Sequence, residues 1–317
     1  MITLAILDTS TLGEDMDLGF FQQLGEIRLY SATPPHLVEE RIEDCDVVIL
    51  NKVRLDETNL PAARRLKLIC VTATGYDNID TAYCKAHGIG VCNVQGYSTH
   101  SVAQLTLAMV LSLSCHLPQY HQYTVSGQYT QSGRHNCLTP VFHELYGKTW
   151  GVLGYGAIGR QVGRTAEAMG CRVLACKRQK TPEAECVSLE ELCRESDILT
   201  IHTPLTPETK GMIGRQELEW MKPSVILVNG ARGAVWDEEA VADAVERGTV
   251  GGLGCDVYSA EPMAQDHPFQ RIAPLPNVCL TPHMAWGAYE ARVRCMEEVA
   301  ENIRAFYKGE LRNRVEG

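Results

Sequence analysis

The sequence contains no apolar run long enough to cross a membrane. The longest candidate, residues 102–117, is interrupted by Gln104 and by several hydroxyl side chains, so a buried helix is the better interpretation. The first residues, Met1–Leu7, carry no basic segment and stop at Asp8, which predicts that there is no secretory signal peptide. We therefore expect no membrane partner for this chain.

An excess of positive charge is also missing. The 39 acidic residues outnumber the 29 basic residues, which gives a formal net charge of −10. Because nucleic-acid backbones are bound through basic surfaces, we expect no nucleic-acid partner. An acidic chain that binds an anionic cofactor must instead concentrate its positive charge locally.

The cysteine spacing C-x-x-C does not occur, although the chain has 13 cysteines. Cys70, Cys92, Cys176, Cys255 and Cys279 fall inside or at the ends of apolar strand-like runs, where a thiol acts as a small hydrophobic group. We therefore expect neither disulfides nor a metal site. This cysteine usage indicates a reducing cytoplasm.

The length of 317 residues, with 45% hydrophobic and 21% charged residues, indicates two soluble domains of ordinary size. Short apolar runs alternate with helical segments in both halves of the chain, which predicts an α/β fold with two doubly wound parallel sheets. The predicted strands are Ile2–Leu7, Ile27–Tyr30, Val47–Leu50, Leu68–Val71, Ile89–Cys92, Trp150–Leu153, Arg172–Cys176, Ile198–Ile201, Val225–Val228, Val250–Cys255 and Val278–Leu280. The predicted helices are Leu37–Ile42, Leu60–Leu66, Thr81–His87, Ser98–Leu117, Ser188–Arg194, Gln216–Met221, Asp237–Arg247 and Ala288–Phe306.

A glycine pattern lies at the centre of the chain. The stretch Lys148–Gly159 reads K-T-W-G-V-L-G-Y-G-A-I-G and places G-x-G-x-x-G at Gly154, Gly156 and Gly159. The first glycine allows a tight turn, the second lets backbone amides approach a pyrophosphate, and the third lets helix pack on strand. Because a strand precedes the pattern and a helical periodicity follows it, we predict a dinucleotide site with the phosphates at the helix start.

Three polar residues follow successive predicted strands in the second half. Arg232 lies in N-G-A-R-G, Glu261 in D-V-Y-S-A-E-P and His283 in T-P-H. Ligands of doubly wound sheets bind at the carboxyl ends of strands, so we expect these side chains to share one crevice. Reduction of a 2-oxo acid needs a proton on the carbonyl oxygen, which His283 can supply while Glu261 orients its ring. Arg232 can bind the substrate carboxylate and polarise the carbonyl.

Alternatives exist for each of these residues. A lone arginine such as Arg232 is more often part of a surface ion pair, and a lone histidine such as His283 is more often a local cap. Their order on successive strands favours the catalytic interpretation. His202, at the end of another predicted strand, is the rival catalytic histidine. No carboxylate motif accompanies it, so we interpret it as lining the cofactor cleft.

Jointly, these motifs resemble the D-isomer-specific 2-hydroxyacid dehydrogenase family over essentially the whole chain. The resemblance rests on G-Y-G-A-I-G, N-G-A-R-G, E-P and T-P-H-M-A-W, and on His202–Thr209 (H-T-P-L-T-P-E-T), Val71–Asp80 and Cys92–Thr99. Within the family, N-K-V at Asn51–Val53 and A-W at Ala285–Trp286 are similar to the glycerate dehydrogenase or hydroxypyruvate reductase branch.

The resemblance implies a domain organisation. A Rossmann cofactor domain, residues 99–284, would be inserted into a flavodoxin-like substrate domain made of residues 1–98 and 285–317. Residues 118–147 are polar, rich in Tyr, Gln and His, and lack helical periodicity. From the residues alone this segment is either an arm packed against another subunit or a mobile surface loop. The resemblance implies the arm, and with it a homodimer.

The resemblance also implies roles for individual residues, with catalysis by the arginine, glutamate and histidine named above. Backbone amides near Thr74 and Gly75 would bind the substrate carboxylate, as suits a strand-to-helix turn. Lys52 and Trp286 would lie in loops around the substrate, with a plain surface cation as the alternative for Lys52. Asp256 would line the cleft below the nicotinamide, or else be a buried structural aspartate. The implied cofactor contacts are Gly154, Gly156, Ala157, Ile158, Gly159, Lys177, Arg178, His202, Thr203, Pro204, Thr209, Ala231 and Asp256.

The sequence departs from the family pattern at Gln104, where the family commonly has glutamate, and at two places beside the cofactor. NAD-preferring relatives carry an acidic residue after the second strand of the cofactor domain, whereas this chain has C-K-R-Q-K at residues 176–180. The cations Lys177, Arg178 and Lys180 stand where a 2′-phosphate would lie, so NADP(H) is favoured, NAD(H) remains open, and a solvated basic turn is the alternative. The second departure is Gly230, where the family usually has threonine beside the cofactor.

The expected function is an NAD(P)-dependent oxidoreductase. It would interconvert a small 2-oxo acid, with hydroxypyruvate or glyoxylate favoured, and the D-2-hydroxy acid, D-glycerate or glycolate. A reductase for a different 2-oxo acid is one alternative. Formate dehydrogenase pairs its histidine with glutamine, so Glu261 argues against it. A nucleotide-sensing binding protein, similar to the corepressors that share this fold, is the alternative from another class.

Overall fold

The computed structural model describes residues 2–179 and 181–317, which divide into two compact units. The first unit comprises residues up to Ser98 together with Gly287–Gly317. The second unit is the uninterrupted stretch Thr99–Trp286. The chain therefore leaves the first unit once, builds the second, and returns.

The first unit is built on a five-stranded parallel sheet with the strand order β2-β1-β3-β4-β5. This is the flavodoxin-like winding, whose order reverses between β1 and β3. Four of its strands, all except β2, are buried at every position because helices cover both faces of the sheet. The strands are β1 (Thr3–Ile6), β2 (Glu26–Leu29), β3 (Val47–Leu50), β4 (Leu68–Val71) and β5 (Gly90–Cys92).

The second unit is built on a seven-stranded parallel sheet with the order β12-β11-β10-β9-β6-β7-β8. Its winding reverses between β6 and β9, as in a Rossmann domain. Together the two sheets confirm the predicted α/β fold class. The strands are β6 (Thr149–Leu153), β7 (Arg172–Cys176), β8 (Glu185–Cys186), β9 (Ile198–Ile201), β10 (Ile226–Asn229), β11 (Gly252–Cys255) and β12 (Val278–Leu280).

Helices connect these strands, and several begin at a side chain that accepts a backbone hydrogen bond. Asp80, Ser188 and Asp237 each accept from a backbone N–H in the first turn of the helix that follows. In the described ranges the α-helices are α1 (Val38–Ile42), α2 (Thr81–Ala86), α3 (Thr99–Ser114), α4 (Leu117–Val125), α5 (Gln128–Ser132), α6 (Ala157–Ala168), α7 (Leu189–Glu195), α8 (Arg215–Trp220), α9 (Glu238–Glu246), α10 (Phe269–Ile272) and α11 (Tyr289–Tyr307). Short 3₁₀ helices lie at Thr9–Thr11, Gly19–Gln23, Pro35–Leu37, Leu60–Ala62 and Gly233–Val235.

The core of the second unit has apolar clusters on both faces of the sheet. One cluster contains Leu199, Leu227 and Leu253 from the central strands. The other contains Trp150, whose indole N–H donates to Thr200 Oγ1 at 3.1 Å. Within the part of the chain that the structure describes, no single helix is long and apolar enough to span a membrane. Only α3 and α4 taken together, bent by 60°, meet that length and composition.

The predicted helix Leu60–Leu66 is wrong: the structure has a single 3₁₀ turn at Leu60–Ala62. Pro61 is the second residue of this turn, and Ala63 already leaves the helical region with φ −80° and ψ 75°. Leu66 reaches the core from the loop instead. The two-residue edge strand β8 was not predicted, because a run this short carries no period-two pattern.

Residues 118–147 contain more helix than their composition indicated, since α4 and α5 both fall mostly within this segment. Several of its apolar side chains are nevertheless exposed. Leu138 is 70% exposed, Val141 67% and Tyr146 78%. A polar segment that presents this much apolar surface differs from an ordinary solvated loop.

The last residues of the chain cover the edge of the first sheet. Val315 N donates to Val91 O at 2.9 Å, and Val91 N donates to Glu316 Oε2 at 2.9 Å. Arg314 forms an ion pair with Glu316. The backbone groups of edge strand β5 are thereby paired rather than left open. The helix before this tail, α11, packs against β4.

Candidate active site

The turn between β6 and α6 contains the three glycines of the predicted dinucleotide site. Gly154 has a φ of 94°, a left-handed conformation that strains other residues, and a Cβ there would lie 2.6 Å from Thr203 N. A Cβ at Gly159 would overlap the carbonyl oxygen of Gly154. At Gly156, by contrast, no heavy atom of the described residues lies within 4 Å of the Cβ position. The chain's own packing therefore requires two of the glycines, whereas Gly156 keeps the space before the helix open.

The first turn of α6 provides donors for an anion. Gly156 is the N-cap residue and offers no side-chain acceptor, so backbone N–H groups of the first turn have no intrahelical partner. Ala157 and Ile158 lie in this turn, as expected. The helix dipole adds positive potential at the same point. Unpaired donors beside open space are the features that fit the pyrophosphate of a dinucleotide.

Positive charge follows β7, and no carboxylate accompanies it over residues 176–179. Lys177 is half-buried and Arg178 is exposed. The pKa of Glu208 is lowered, chiefly by the hydrogen bond from Thr206 and also by the charge of Arg178. Arg178 therefore has one acidic neighbour from the loop after β9. Lys180, the third predicted cation, lies outside the described residues.

His202 and Thr203 follow β9, on the other side of the point where the strand order reverses. Both ring nitrogens of His202 are buried without a hydrogen-bond partner among the described residues. Burial lowers the pKa of His202 to about 4, so this imidazole is neutral near pH 7. In the same loop the Thr209 hydroxyl donates to Pro204 O at 2.6 Å and accepts from Thr206 N at 2.7 Å. Thr209 thus holds the shape of the loop with its own hydroxyl.

Arg232 follows β10 in a turn that is organised by the preceding asparagine. Asn229 is fully buried; its Oδ1 accepts from Ala231 N at 2.9 Å and its Nδ2 donates to Arg232 O at 3.0 Å. Arg232 Nη1 donates to Ala231 O at 2.8 Å. At Gly230 a Cβ would find its nearest heavy atom at 3.8 Å, so the site has room for the hydroxyl-bearing residue that this chain lacks.

Glu261 and His283 are in direct contact. Nδ1 of His283 lies 2.6 Å from Glu261 Oε2, and the other carboxylate oxygen accepts from Tyr258 N at 3.1 Å. The two side chains are 27% and 24% exposed, so a ligand can reach the pair. They follow β11 and β12, which lie beside β10 in the sheet. The three predicted catalytic residues therefore follow three adjacent strands at one edge of the second unit.

Asp256 anchors the turn that carries His283. One carboxylate oxygen accepts from Thr281 Oγ1 at 2.6 Å and Met284 N at 2.8 Å, and the other accepts from Ala285 N at 2.8 Å. Burial raises the pKa of Asp256, while these hydrogen bonds and the neighbouring histidine act in the opposite direction. His283 has a φ of 53°, a left-handed conformation that is uncommon for a residue with a side chain. Both oxygens of Asp256 serve the turn, which favours the structural alternative for this residue.

The loop that contains Lys52 in the first unit is held by a buried carboxylate. Asp8 follows β1, and its oxygens accept from the backbone N–H groups of Asn51 at 2.9 Å and Lys52 at 2.7 Å. The Lys52 side chain is exposed. Burial raises the pKa of Asp8, although the backbone donors lower it in part. Asp8 thus links the loop after β1 to the loop after β3. The strand order of the sheet reverses between these two strands, and sheets of this type bind ligands at such a position.

Thr74 and Gly75 lie past the end of the adjacent strand β4. Thr74 Oγ1 donates to Val94 O at 2.9 Å, and Asn93 Nδ2 donates to Thr74 O at 2.7 Å. The turn is therefore fixed to the residues that follow β5, while Thr74 itself stays exposed. Trp286 is half-buried and is the last residue of the second unit.

Sequence reasoning missed the residues that shape these turns: Asp8, Asn229, Tyr258 and Thr281. Asp8 and Asn229 had a readable signal, because each is the first polar residue after an apolar run. Tyr258 and Thr281 had none, since their roles depend on contacts between different loops. Among the described residues no group of three or more His, Cys, Asp or Glu side chains could hold a metal ion.

Comparisons with known proteins agree with this geometry. The family model described as D-isomer specific 2-hydroxyacid dehydrogenase, NAD binding domain, matches residues 107–285. The chain is 37% identical to a glycerate dehydrogenase of Methylorubrum extorquens, over 92% of each chain. It is 34% identical to a hydroxypyruvate reductase of Blautia hydrogenotrophica, over 93% of each chain.

A solved structure extends the similarity to three dimensions. The crystal structure of a D-lactate dehydrogenase from Aquifex aeolicus, complexed with NAD and lactic acid, superposes with a TM-score of 0.86. The two chains are 32% identical, and the match covers 99% of each. Both domains of this chain are therefore included in the match.

Proposed function

The chain belongs to the D-isomer-specific 2-hydroxyacid dehydrogenase family, and we propose that it reduces hydroxypyruvate to D-glycerate or glyoxylate to glycolate. The family, the enzyme class and the nicotinamide cofactor predicted from the motifs are confirmed. The relatives named glycerate dehydrogenase and hydroxypyruvate reductase also agree with the predicted branch. The preferred acid, the proton donor and the choice between NADP(H) and NAD(H) are our proposals.

The 2.6 Å contact between His283 Nδ1 and Glu261 Oε2 carries the proposed mechanism. Because one ring nitrogen faces the carboxylate, the other is left to deliver a proton to a carbonyl oxygen. Glu261 fixes the orientation of the ring through this contact. His202 is unsuited to this task, since burial lowers its pKa to about 4 and leaves it without a proton to give near pH 7.

Arg232 is the proposed substrate clamp. Its backbone is fixed by buried Asn229, so the guanidinium projects from a rigid turn beside the strand that leads to Glu261. A planar guanidinium can bind a carboxylate and a neighbouring carbonyl through parallel N–H donors. This arrangement withdraws electron density from the carbonyl carbon, which is the atom that must accept hydride.

The nicotinamide cofactor supplies the hydride when it is bound, and the residues present fit it. Gly154, Gly156 and Gly159 with the start of α6 would hold the pyrophosphate, and the backbone at His202–Pro204 and Ala231 would line the cleft. We assign Asp256 to the support of the His283 turn beside that cleft. Thr209 would act by holding the loop after β9 in shape.

We propose NADP(H) as the preferred cofactor. Lys177 and Arg178 follow β7, where no carboxylate is available over residues 176–179 to bind ribose hydroxyls. A 2′-phosphate needs such cations, whereas NAD(H) is usually recognised by an acidic side chain at this position. The acidic neighbour Glu208 reduces, but does not remove, the positive charge of this turn. A solvated basic turn is the competing explanation.

The first unit is proposed to bind the substrate. Exposed Thr74 and half-buried Gly75 form a turn after β4, where backbone amides can receive a carboxylate. Lys52 adds a cation to the loop after β3. We keep Trp286 as a proposed substrate contact because it belongs to the motif that the resemblance identified. On this proposal the cofactor domain is residues 99–284 and the substrate domain is residues 1–98 and 285–317.

We also propose a homodimer formed through residues 118–147. The exposure of Leu138, Val141 and Tyr146 supports this, because large apolar patches usually mark protein contacts. Replacing Val141 by Glu should give a monomer in analytical ultracentrifugation, whereas Leu311→Glu, at a residue 87% exposed outside the segment, should not. An unchanged dimer in the Val141 variant would contradict the proposal that residues 118–147 form the dimer contact.

We propose a reducing cytoplasm as the compartment of this protein. The 13 free cysteines, eight of them buried, support this.

The test is the absorbance of reduced nicotinamide with hydroxypyruvate and, separately, glyoxylate, each assayed with NADPH and with NADH. Oxidation of either cofactor supports a 2-oxo acid reductase, and the ratio of kcat/KM values for the two cofactors tests the roles of Lys177 and Arg178. Turnover only with a different 2-oxo acid would replace the proposed substrate. If no 2-oxo acid causes oxidation of the cofactor, although the protein binds nicotinamide dinucleotide, the nucleotide-sensing alternative would be favoured.

A further inference from the structure

Tyr258 connects the loop of Glu261 with the loop of His283. Its backbone N–H donates to Glu261 Oε1 at 3.1 Å. Its hydroxyl donates to Thr281 O at 2.9 Å, two residues before the histidine. The two ends of one residue therefore hold both members of the Glu261–His283 pair, through the carboxylate on one side and the backbone on the other.

The tyrosine ring is itself held in place. It packs edge-on against His267, with ring centroids 5.7 Å apart and planes at 87°, and against fully buried Phe269 at 6.4 Å and 68°. Burial raises the pKa of the Tyr258 phenol, so the hydroxyl keeps its proton throughout the pH range of an assay. It is a permanent donor to a backbone carbonyl on a fixed ring.

The His283 turn needs such support. The left-handed conformation of His283, with a φ of 53°, costs free energy and persists only if hydrogen bonds from the surrounding residues hold the turn in place. Asp256 supports the turn from the hydroxyl of Thr281 and from the backbone of Met284 and Ala285. Tyr258 holds a further group of the turn by donating a hydrogen bond to the carbonyl oxygen of Thr281. Asp256 cannot make this bond, because an ionised carboxylate has no proton to donate. The two residues thus hold different groups of the same turn.

We propose that Tyr258 is a positioning residue whose hydroxyl keeps the His283 ring within hydrogen-bonding distance of Glu261. This rests on the proposed function of the Glu261–His283 pair as the proton donor. Tyr258 acts through the two loops and is not assigned a contact with the substrate. Its effect should therefore be seen in the chemical step rather than in the binding of cofactor or substrate.

The test uses the full chain with Tyr258→Phe, which keeps the ring packing and deletes one hydrogen bond. Loss of one such bond corresponds to roughly a three- to tenfold effect, which we expect in kcat with little change in KM or in the dissociation constant of NADPH. The second readout is the proton NMR signal of the His283 Nδ1–H, assigned with the His283→Asn variant. The short bond to Glu261 should place this signal far downfield, and Tyr258→Phe should move it upfield.

Thr249→Val is the control, because it deletes another hydroxyl-to-carbonyl hydrogen bond, to Ala244 O at 3.1 Å, beyond the end of α9 and away from both the site and residues 118–147. It should leave both readouts at the wild-type values. An unchanged Nδ1–H signal in Tyr258→Phe would overturn the positioning role, whatever happens to kcat. The signal does not require turnover, so an inactive wild-type protein would refute the proposed function without deciding the role of Tyr258. Should Tyr258→Phe be unfolded at the assay temperature, the same two readouts are compared with those of wild type at a lower temperature at which the variant is folded.

Discussion

His283 contacts Glu261 at 2.6 Å while its own backbone is in a left-handed conformation, with a φ of 53°. The ring is thus aimed by a carboxylate from the neighbouring strand end and by a turn that few residues adopt without cost. Both features bear on the outcome of substitution at this position, and they can be separated by the choice of the new residue.

Replacing His283 by Ala should lower kcat for 2-oxo acid reduction by about 10²–10⁴-fold, because a positioned proton donor contributes that much. His283→Asn is the matched variant, since asparagine tolerates the left-handed conformation but cannot donate as an acid. Equal losses in the two variants would assign the effect to the proton. Recovery of most of the rate in the Asn variant would assign it to the backbone and remove His283 from the acid role.

The glycine turn gives a paired prediction. Gly156→Ala should fold with a near-wild-type Tm and bind NADPH roughly tenfold more weakly, because the new Cβ enters open space that a pyrophosphate would occupy. Gly154→Ala should instead lose stability, by about 1–3 kcal/mol or more, since it combines a φ of 94° with an overlap at Thr203 N.

Thermal unfolding and cofactor titration of both glycine variants check this pair. Each variant is the control for the other because both add one methyl group. A stable Gly154→Ala protein would contradict the claim that the packing of the chain requires glycine there. Unchanged NADPH affinity in Gly156→Ala would contradict the claim that the open space at Gly156 receives the pyrophosphate.

Replacing Lys177 by Asp should shift cofactor preference towards NADH. The change removes a cation that is placed to receive a 2′-phosphate and supplies a carboxylate for ribose hydroxyls. The measurement is the ratio of kcat/KM with NADPH to kcat/KM with NADH. Lys67→Asp, at an exposed residue of the first unit, makes the same charge change and should leave the ratio unaltered. The same ratio in both variants would refute the 2′-phosphate argument.

His202 predicts an acid-sensitive stability. Its pKa of about 4 in the folded protein lies below the ordinary value of 6.5, so the unfolded chain binds a proton that the folded chain does not. The free energy of unfolding should therefore fall as the pH drops from 6.5 to about 4, by about 3 kcal/mol at the lower end. The loss should be absent above pH 7.

Urea unfolding of wild type and His202→Gln at pH 7.0 and 4.5 tests this expectation. The wild type should lose more stability between the two pH values than the variant does. His36→Gln, at an exposed histidine, is the control and should behave as the wild type does. Parallel losses in wild type and His202→Gln would place the acid sensitivity elsewhere.

The parts of the fold that could be predicted from sequence were those that depend on residues close together in the chain. The strand Leu68–Val71 was predicted to the residue, and the start of the helix at Asp237 was predicted correctly because one side chain and one nearby N–H decide it. The glycine turn was readable for the same reason. The helix expected at Leu60–Leu66 does not form beyond one 3₁₀ turn, because the backbone at Ala63 leaves the helical region and composition does not report this.

The candidate site was readable at the level of residue type and strand order, and less so in its geometry. Arg232, Glu261 and His283 could be chosen because each follows a strand of a predicted parallel sheet. The left-handed backbone of His283 and the hydrogen bond from Tyr258 to Thr281 could not be predicted in this way. They depend on how loops 23 residues apart fit together, and no local pattern reports that.

The return of the chain to its first unit sets an order of events during synthesis. Residues 2–98 leave the ribosome first and already contain all five strands of their sheet. The helix that packs against β4, and the tail that pairs with β5, follow only after the complete second unit. For that interval one face and one edge of the nascent sheet stay uncovered, which is the condition in which sheets associate wrongly. The demand on chaperones should therefore be greatest while residues 99–286 are being made.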